Sequence, residues 1–412
     1  VSEDATSQVI RLCEFCKDCS WEGSPMCKAT GAEYTCYPAP APPPRAPLCS
    51  AEARTFAVPL ILDTDLSIDV DDVGAVCLAH ALADRCEARI LSMVHNTGLP
   101  NGAAGLSVLN EFYGRGYLPI GAYRGPVGNP ELTKQPRWTN RGRGRYVDDI
   151  VAGWSRGNRT ANGTEVPDAV DVLRASLADA KDGSVVYVSV GHLTNLEALV
   201  ESAANFAGDG RPSGRELIRT KVKRLLLMGG RTFSTTAVEW NFGGCGGGCG
   251  PYDNLGNITY TALVGWPTSV PISFLGFEAG LNVGTGGFFI RDPPPFETPC
   301  GEAYRLFCSR LSGWCGGSGR SSWDPMTVLY GVRGNTGGRF RREVGTMIVN
   351  PISGANDWVP SENQSQPADN PASQENLILN VQRWGGEIGR EIDALLREPP
   401  ARAEDSTNDE IE

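Results

Sequence analysis

Nowhere in these 412 residues do 18 apolar side chains run together, so no segment reads as a membrane-spanning helix. Positive charge is scarce: 37 Lys and Arg stand against 48 Asp and Glu, a net charge of -11. That sign argues against a protein that coats nucleic acid or docks on anionic lipid, while leaving a neutral small molecule admissible. Only three histidines occur, His80, His95 and His192, and none has the Ser or Cys context of a nucleophilic triad. The first 49 residues hold too little apolar content to form a core. No signal peptide opens the sequence, and Val1 is expected to be a mature end left by cleavage.

Cysteine is plentiful: 13 in all, with six in the first 49 residues. Residues 1–37 carry Cys13, Cys16, Cys19, Cys27 and Cys36 and are expected to form a disulfide-held module. The CxxCxxC spacing also admits a zinc site. Residues 38–57 are a Pro-rich linker, semi-rigid through PAPAPPPRAP, with Cys49 placed to pin the module to the main domain. Four sequons stand at Asn158, Asn162, Asn257 and Asn363. Cysteines and sequons together point to a secreted, extracellular, N-glycosylated protein. GGCGGGCG, Gly243 to Gly250, reads as a flap closed by a disulfide through Cys245 or Cys249, or as a Cys pair for metal. Cys77, amid small apolar residues, is expected to pack as one of them.

From residue 58 to 399 strand and helix patterns alternate, which implies one α/β domain: a mostly parallel sheet with helices on both faces. Strands are expected at Val58–Leu62, Ala88–Val94, Leu118–Tyr123, Ser184–Val190 and in VKRLLLMGG. Helices are expected from Val73, from Asn101, over Asp168–Ala180 and after Thr194. Segments near Val270–Leu275 and Thr346–Val349 should extend the sheet. Arg124 to Glu165, rich in Gly, Arg, Pro and Asn, reads as a long irregular excursion, and residues 400–412 as an acidic disordered tail.

The chain is organised around VPLILDTDLSIDVDD, Val58 to Asp72, a buried strand running into Asp63, Asp65, Asp69, Asp71 and Asp72. So many carboxylates in one strand-to-helix loop repel one another unless a cation joins them, and an all-oxygen set favours Ca2+ or Mg2+ over zinc. Helix capping uses fewer acids than this. A calcium hand fails because Ile68 stands where that loop needs Gly, and Gly74 where it needs the bidentate Glu. A Mg2+-dependent aspartyl phosphatase with a DxD loop is the rival. It would need a Lys, for which Lys221 and Lys223 are candidates, and a late acidic pair that does not appear.

DTD followed by a double Asp at a helix start resembles the signature of the calcium-dependent nucleoside hydrolases, the inosine-uridine and purine-preferring N-ribohydrolases. Leu66-Ser67 replaces the Pro-Gly usual there, and two extra residues precede Asp71-Asp72. Aligned on the double Asp, the resemblance implies metal ligation by Asp65, Asp72, the Thr194 carbonyl (in GHLTNLEAL) and Asp324 (in SSWDPMTVLYG). Ribose binding would fall to Asp71 on this alignment, or to Asp69 in its place, with Asp324, Glu239 and Asn241, the last two matching an ExN after MGG. The Asn that usually assists from upstream has only Ser234, Thr235 and Thr236 in its place. Asp65 would accept the proton of the attacking water, with Asn96 near that water. Where pyrimidine-tolerant relatives keep a histidine acid this chain has Trp323, which implies a base-stacking role and a preference for purines.

The function so implied is a secreted hydrolase of the N-glycosidic bond of purine ribonucleosides, serving purine salvage. It would act on a small-molecule nucleoside, bind no nucleic acid, and form a homo-oligomer, with the N-terminal module suited to extracellular matrix contact or self-assembly. A weakened, structural or adhesive extracellular glycoprotein on the same fold is the alternative, favoured by the departures at Leu66-Ser67 and the missing Asn.

Overall fold

The computed structural model describes the backbone of residues 27–30 and 33–36, then residues 55–66, 69–128, 145–155, 165–231, 238–243, 254–362, 364 and 374–401. In the N-terminal part β1 (Cys27–Thr30) pairs antiparallel with β2 (Glu33–Cys36), with Cys27 opposite Cys36. Asn158, Asn162, Asn363, Cys245, Cys249, Ser234, Thr235, Thr236 and the tail from 402 lie outside the described residues, as does the linker up to residue 54.

The main domain is built on a nine-stranded sheet ordered β13-β12-β14-β8-β7-β6-β3-β4-β5. Its strands in chain order are β3 (Val58–Thr64), β4 (Ala88–His95), β5 (Ile120–Ala122), β6 (Val185–Ser189), β7 (Val222–Met228) and β8 (Ile272–Leu275). A small separate sheet comes next, of β9 (Gly284–Gly286), β10 (Cys315–Gly316) and β11 (Gly319–Ser321). Then β12 (Phe340–Val349), β13 (Asn356–Pro360) and β14 (Gln374–Leu379) complete the large one. From β5 to β14 the neighbours are parallel, whereas β12 runs antiparallel to both β14 and β13.

Strand β3 shows why this sheet lies buried on both faces. Leu60 and Leu62 enter one core and Ile61 the other, as the two-residue period of a strand dictates, and all three are fully buried. On the Leu60 side pack α1 (Asp71–Asp84), α2 (Gly102–Phe112) and α3 (Arg145–Trp154). The opposite face carries α4 (Ala169–Asp179), α5 (Thr194–Glu201), α6 (Gly214–Lys221) and α7 (Leu255–Gly265). The first face is completed by α8 (Pro299–Arg310), α9 (Asp324–Arg333) and α10 (Gly386–Leu396). Helix α1 has small or apolar residues on every side and is buried almost throughout, as such a helix must be.

Two expectations need correction. The stretch from Arg124 to Glu165 is not wholly irregular, because α3 buries Tyr146, Val147 and Ile150, spaced three and four apart, against α2 and α8. Cys77 is not a free apolar packer but is bonded to Cys300, tying α1 to the start of α8. A second bond, Cys308–Cys315, ties the end of α8 to β10.

Candidate active site

The carboxyl ends of β3, β4, β6 and β7 meet where a parallel sheet places its ligands. Asp63, next to last in β3, is a buttress. Its Oδ1 accepts from Asn96 Nδ2 at 3.0 Å and Asn195 Nδ2 at 2.9 Å, and its Oδ2 from the Tyr187 hydroxyl at 2.8 Å. Burial still pushes its carboxyl up to about 7. Strands β4 and β6 and the start of α5 are thereby tied to β3.

Beyond Asp63 one carboxylate oxygen each of Asp71, Asp72 and Asp324 lies within 4.8 Å of the others. Asp71 Oδ2 accepts the backbone N–H groups of Trp323 and Asp324 at 3.1 and 3.3 Å, so the first turns of α1 and α9 face one another. Both helix dipoles present their positive ends to this spot. Thr64 Oγ1 donates to Asp72. Burial raises all three carboxyls well above the usual range, and neighbouring carboxylates add to it: Asp69 for Asp71, Asp65 and then Asp71 for Asp72, and Asp71 and then Asp72 for Asp324. Asp65, also buried, is pushed up to about 7 by burial first and by the charge of Asp69 second. His192 Nε2 stands 3.9 Å from Asp65, but burial lowers the His192 pKa to about 4, so the contact is between a neutral ring and a carboxyl and is not an ion pair.

Among the described residues no Lys or Arg pairs with Asp65, Asp71, Asp72 or Asp324. Asn96 supplies a further oxygen. Its Oδ1 is buried with no hydrogen-bond partner among those residues, although Nδ2 is engaged by Asp63. A Cβ on Gly191 would stand 2.6 Å from that Oδ1 and 2.6 Å from the Asp65 backbone nitrogen, so only glycine fits there. Clustered anions, an orphan carbonyl oxygen and an oxygen-only donor set fit a hard dication.

Across β6, at the end of β7, Glu239 accepts from Gly230 N at 3.0 Å and from Asn241 N at 3.0 Å. Asn241 Nδ2 donates to the carbonyls of Val190 and Met228 at 3.2 and 3.0 Å, bridging the ends of β6 and β7.

Residues 60–244 match the profile of the family described as inosine-uridine preferring nucleoside hydrolase. Over those residues the chain resembles the nucleoside hydrolases. Solved structures of similar fold include a plant nucleoside hydrolase, PpNRh1, at 17% identity and TM-score 0.54, covering 84% of this chain and 99% of that one. A purine-preferring ribonucleoside hydrolase from Gardnerella vaginalis gives 16%, TM-score 0.52, and 82% and 99% coverage. The type III effector XopQ, complexed with adenosine diphosphate ribose, gives 15%, TM-score 0.54, and 85% and 97% coverage. No protein of curated description matches.

The residues expected at the site converge, although they come from strand ends far apart in sequence. Asp65, Asp71, Asp72, Asn96, Thr194, Glu239, Asn241 and Asp324 are all buried at that edge. Thr194 opens α5 without capping it. Its Oγ1 donates to the Asn96 carbonyl at 2.6 Å, and Leu193 is the N-cap. Asn257 lies half-buried in the first turn of α7. Trp323 is only 8% exposed. Its ring stacks on Phe277 at 5.4 Å, the Arg320 guanidinium lies 4.9 Å from its centroid, and its Nε1 donates to the Phe277 carbonyl at 2.6 Å. The indole expected to stack on a base is thus covered on its faces.

Sequence reading missed Arg320. From β11 it grips Asp69 with Nε at 2.9 and 3.1 Å and with a second nitrogen, while lying against Trp314 and Trp323. Asp69 is therefore occupied by Arg320, whereas Asp71 faces the cluster. Its position four residues before Asp324 was the sole hint, because β11 is too short to show a strand period. His95, whose ring nitrogen lies 2.8 Å from the Leu66 carbonyl, holds the same loop from β4.

Burial lifts Glu239 from 4.5 to about 7. Between those values the folded protein holds a proton that the unfolded chain has released, so stability falls as pH rises through that window. For a fully buried group the loss is on the order of 3 kcal/mol. Urea denaturation in a chelating buffer should show lower stability at pH 7.5 than at pH 5, with a shallower slope for Glu239→Gln. An unchanged slope in that variant would mean that Glu239 is ionised throughout.

Proposed function

We propose that this chain is a secreted, calcium-dependent hydrolase of the N-glycosidic bond of ribonucleosides, with purines preferred. The observation that carries it is the buried group of Asp71, Asp72 and Asp324 beside Asp65 and an Asn96 Oδ1 with no hydrogen-bond partner among the described residues. Asp65, Asp72 and Asp324, with the Thr194 carbonyl, would hold the ion. When bound, a hard dication would acidify a water in its coordination shell.

The chain's own residues do the rest. Asp65 takes the proton of the attacking water, and Asn96 orients that water through Oδ1. Asp71, Glu239 and Asn241 bind ribose hydroxyls, which tightens as the sugar acquires oxocarbenium character. Glu239 is preorganised for this by two backbone N–H donors. Purine preference rests on the absence of a histidine acid before Asp324. Trp323 supports it indirectly, as the wall whose backbone N–H fixes Asp71, since direct stacking on a base requires Phe277 or Arg320 to move. The disulfides Cys77–Cys300 and Cys308–Cys315 favour an oxidising compartment. Homo-oligomer formation is part of the same proposal.

The test is calorimetric titration with Ca2+ followed by assay of the loaded protein on inosine, guanosine, adenosine and uridine. The reading expects one strong site per chain and faster release of base from the purines. Calcium binding without release of base from any nucleoside would leave a brace for the loops and end the hydrolase reading.

A further inference from the structure

Strand β7 leaves the sheet at Gly229–Gly230, and the next residue, Arg231, is held by both its backbone groups. Its N–H donates to Asn356 Oδ1 at 2.9 Å, and its carbonyl accepts from Asn356 Nδ2 at 2.6 Å. Asn356 is buried at the start of β13, so a residue remote in sequence fixes this turn. The Arg231 guanidinium lies 4.0 Å over the centre of Phe277, whose backbone N–H bonds to the Gly230 carbonyl at 2.9 Å. Its Nε is buried with no hydrogen-bond partner among the described residues, and no described carboxylate lies within ion-pair distance of its guanidinium. The contrast with Arg320 is plain, because Asp69 neutralises that one. Arg231 is also near enough to Glu239 for its charge to favour that carboxylate.

A positioned cation with no ion-pair partner among the described residues, beside a ribose-binding carboxylate, suits an anionic part of the substrate. With C1′ presented to Asp65 at the end of β3, the opposite end of the ribose, C4′ and C5′, is directed across β6. There Glu239 and Arg231 stand, two strands from β3, a spacing of about 10 Å that one ribose and its ligands span.

We propose that Arg231 is the anion-binding corner of the substrate site and that this hydrolase takes ribonucleosides bearing a 5′-phosphate. The proposal rests on the reading of Glu239 as a ribose ligand. A planar guanidinium braced on an aromatic ring binds phosphate through paired N–H groups. The reaction itself is unchanged. Water oxygen bonds to C1′, the C1′–N bond breaks with its electron pair going to the base, the base takes up the proton, and ribose 5-phosphate leaves.

The experiment compares inosine with inosine 5′-monophosphate on the calcium-loaded full chain, for wild type, Arg231→Gln and Arg231→Lys. Wild type should show a KM for the monophosphate roughly tenfold to a hundredfold below that for inosine, the range a charge-assisted pair implies. Arg231→Gln should bring the ratio near unity, with Arg231→Lys between. A wild-type ratio near unity, or a ratio that Arg231→Gln leaves unchanged, overturns the proposal. If neither compound is cleaved, calorimetry with ribose 5-phosphate and with ribose separates the two ideas. Tighter binding of the phosphate that depends on Arg231 keeps this inference and ends the hydrolase reading, whereas equal binding ends the inference.

Discussion

Asp65→Asn is expected to lower kcat on any cleaved nucleoside by roughly 10²- to 10⁴-fold, the contribution typical of a positioned general base. The amide keeps the size of the buried side chain but has no basic oxygen, so the attacking water cannot hand over its proton. A neutral amide beside Asp71, Asp72 and Asp324 also relieves repulsion, and the cation-free variant should therefore fold at least as well as wild type. Asp72→Asn, which removes a metal ligand but not the base, should weaken calcium first and lower kcat only as a consequence. Kinetics at saturating calcium separate the two. If Asp65→Asn keeps more than about a tenth of wild-type kcat, against the range for a base, another group takes the proton.

Removing the Cys77–Cys300 bond with the double variant Cys77→Ala and Cys300→Ala should cost about 3 to 5 kcal/mol in urea denaturation. The bond closes a loop of 223 residues, and long loops lose most from the restriction of the unfolded chain. It also joins α1, which carries Asp71 and Asp72, to α8, where the Tyr304 hydroxyl packs so close to Gly74 that a Cβ there would lie 2.3 Å away. Calcium affinity should therefore fall together with stability. A loss below about 1 kcal/mol, small beside the expected loop term, would mean that packing alone holds the two helices.

Much of this arrangement is legible in the residues. The apolar run before Asp63 is a buried strand, the double Asp opens a helix, and GHLTN, ExN and WD each sit at the edge that an alternating strand–helix order implies. These are local signals: periodicity within a dozen residues, charge density in one loop, and the rule that crossovers bring parallel strand ends to one side. The antiparallel β12 and β13 were less visible, because strand direction leaves no mark on a short apolar pattern.

Which side chains the site uses, and which it occupies, depended on contacts between distant segments. Asp69 and Asp71 are equivalent as letters, yet Arg320, 251 positions away, takes one, and the backbone of Trp323 and Asp324 turns the other into the cluster. Trp323 reads as a ring that stacks on a base until Phe277 and Arg320 close on it. Cys77 reads as a packing residue until Cys300 stands opposite. Arg231 acquires meaning only through the amide of Asn356 and the ring of Phe277. Chain order sufficed for the sheet edge and its acids, because burial and periodicity are properties of neighbours in sequence. Partner choice among like residues is decided by distances across crossovers, which no local pattern encodes.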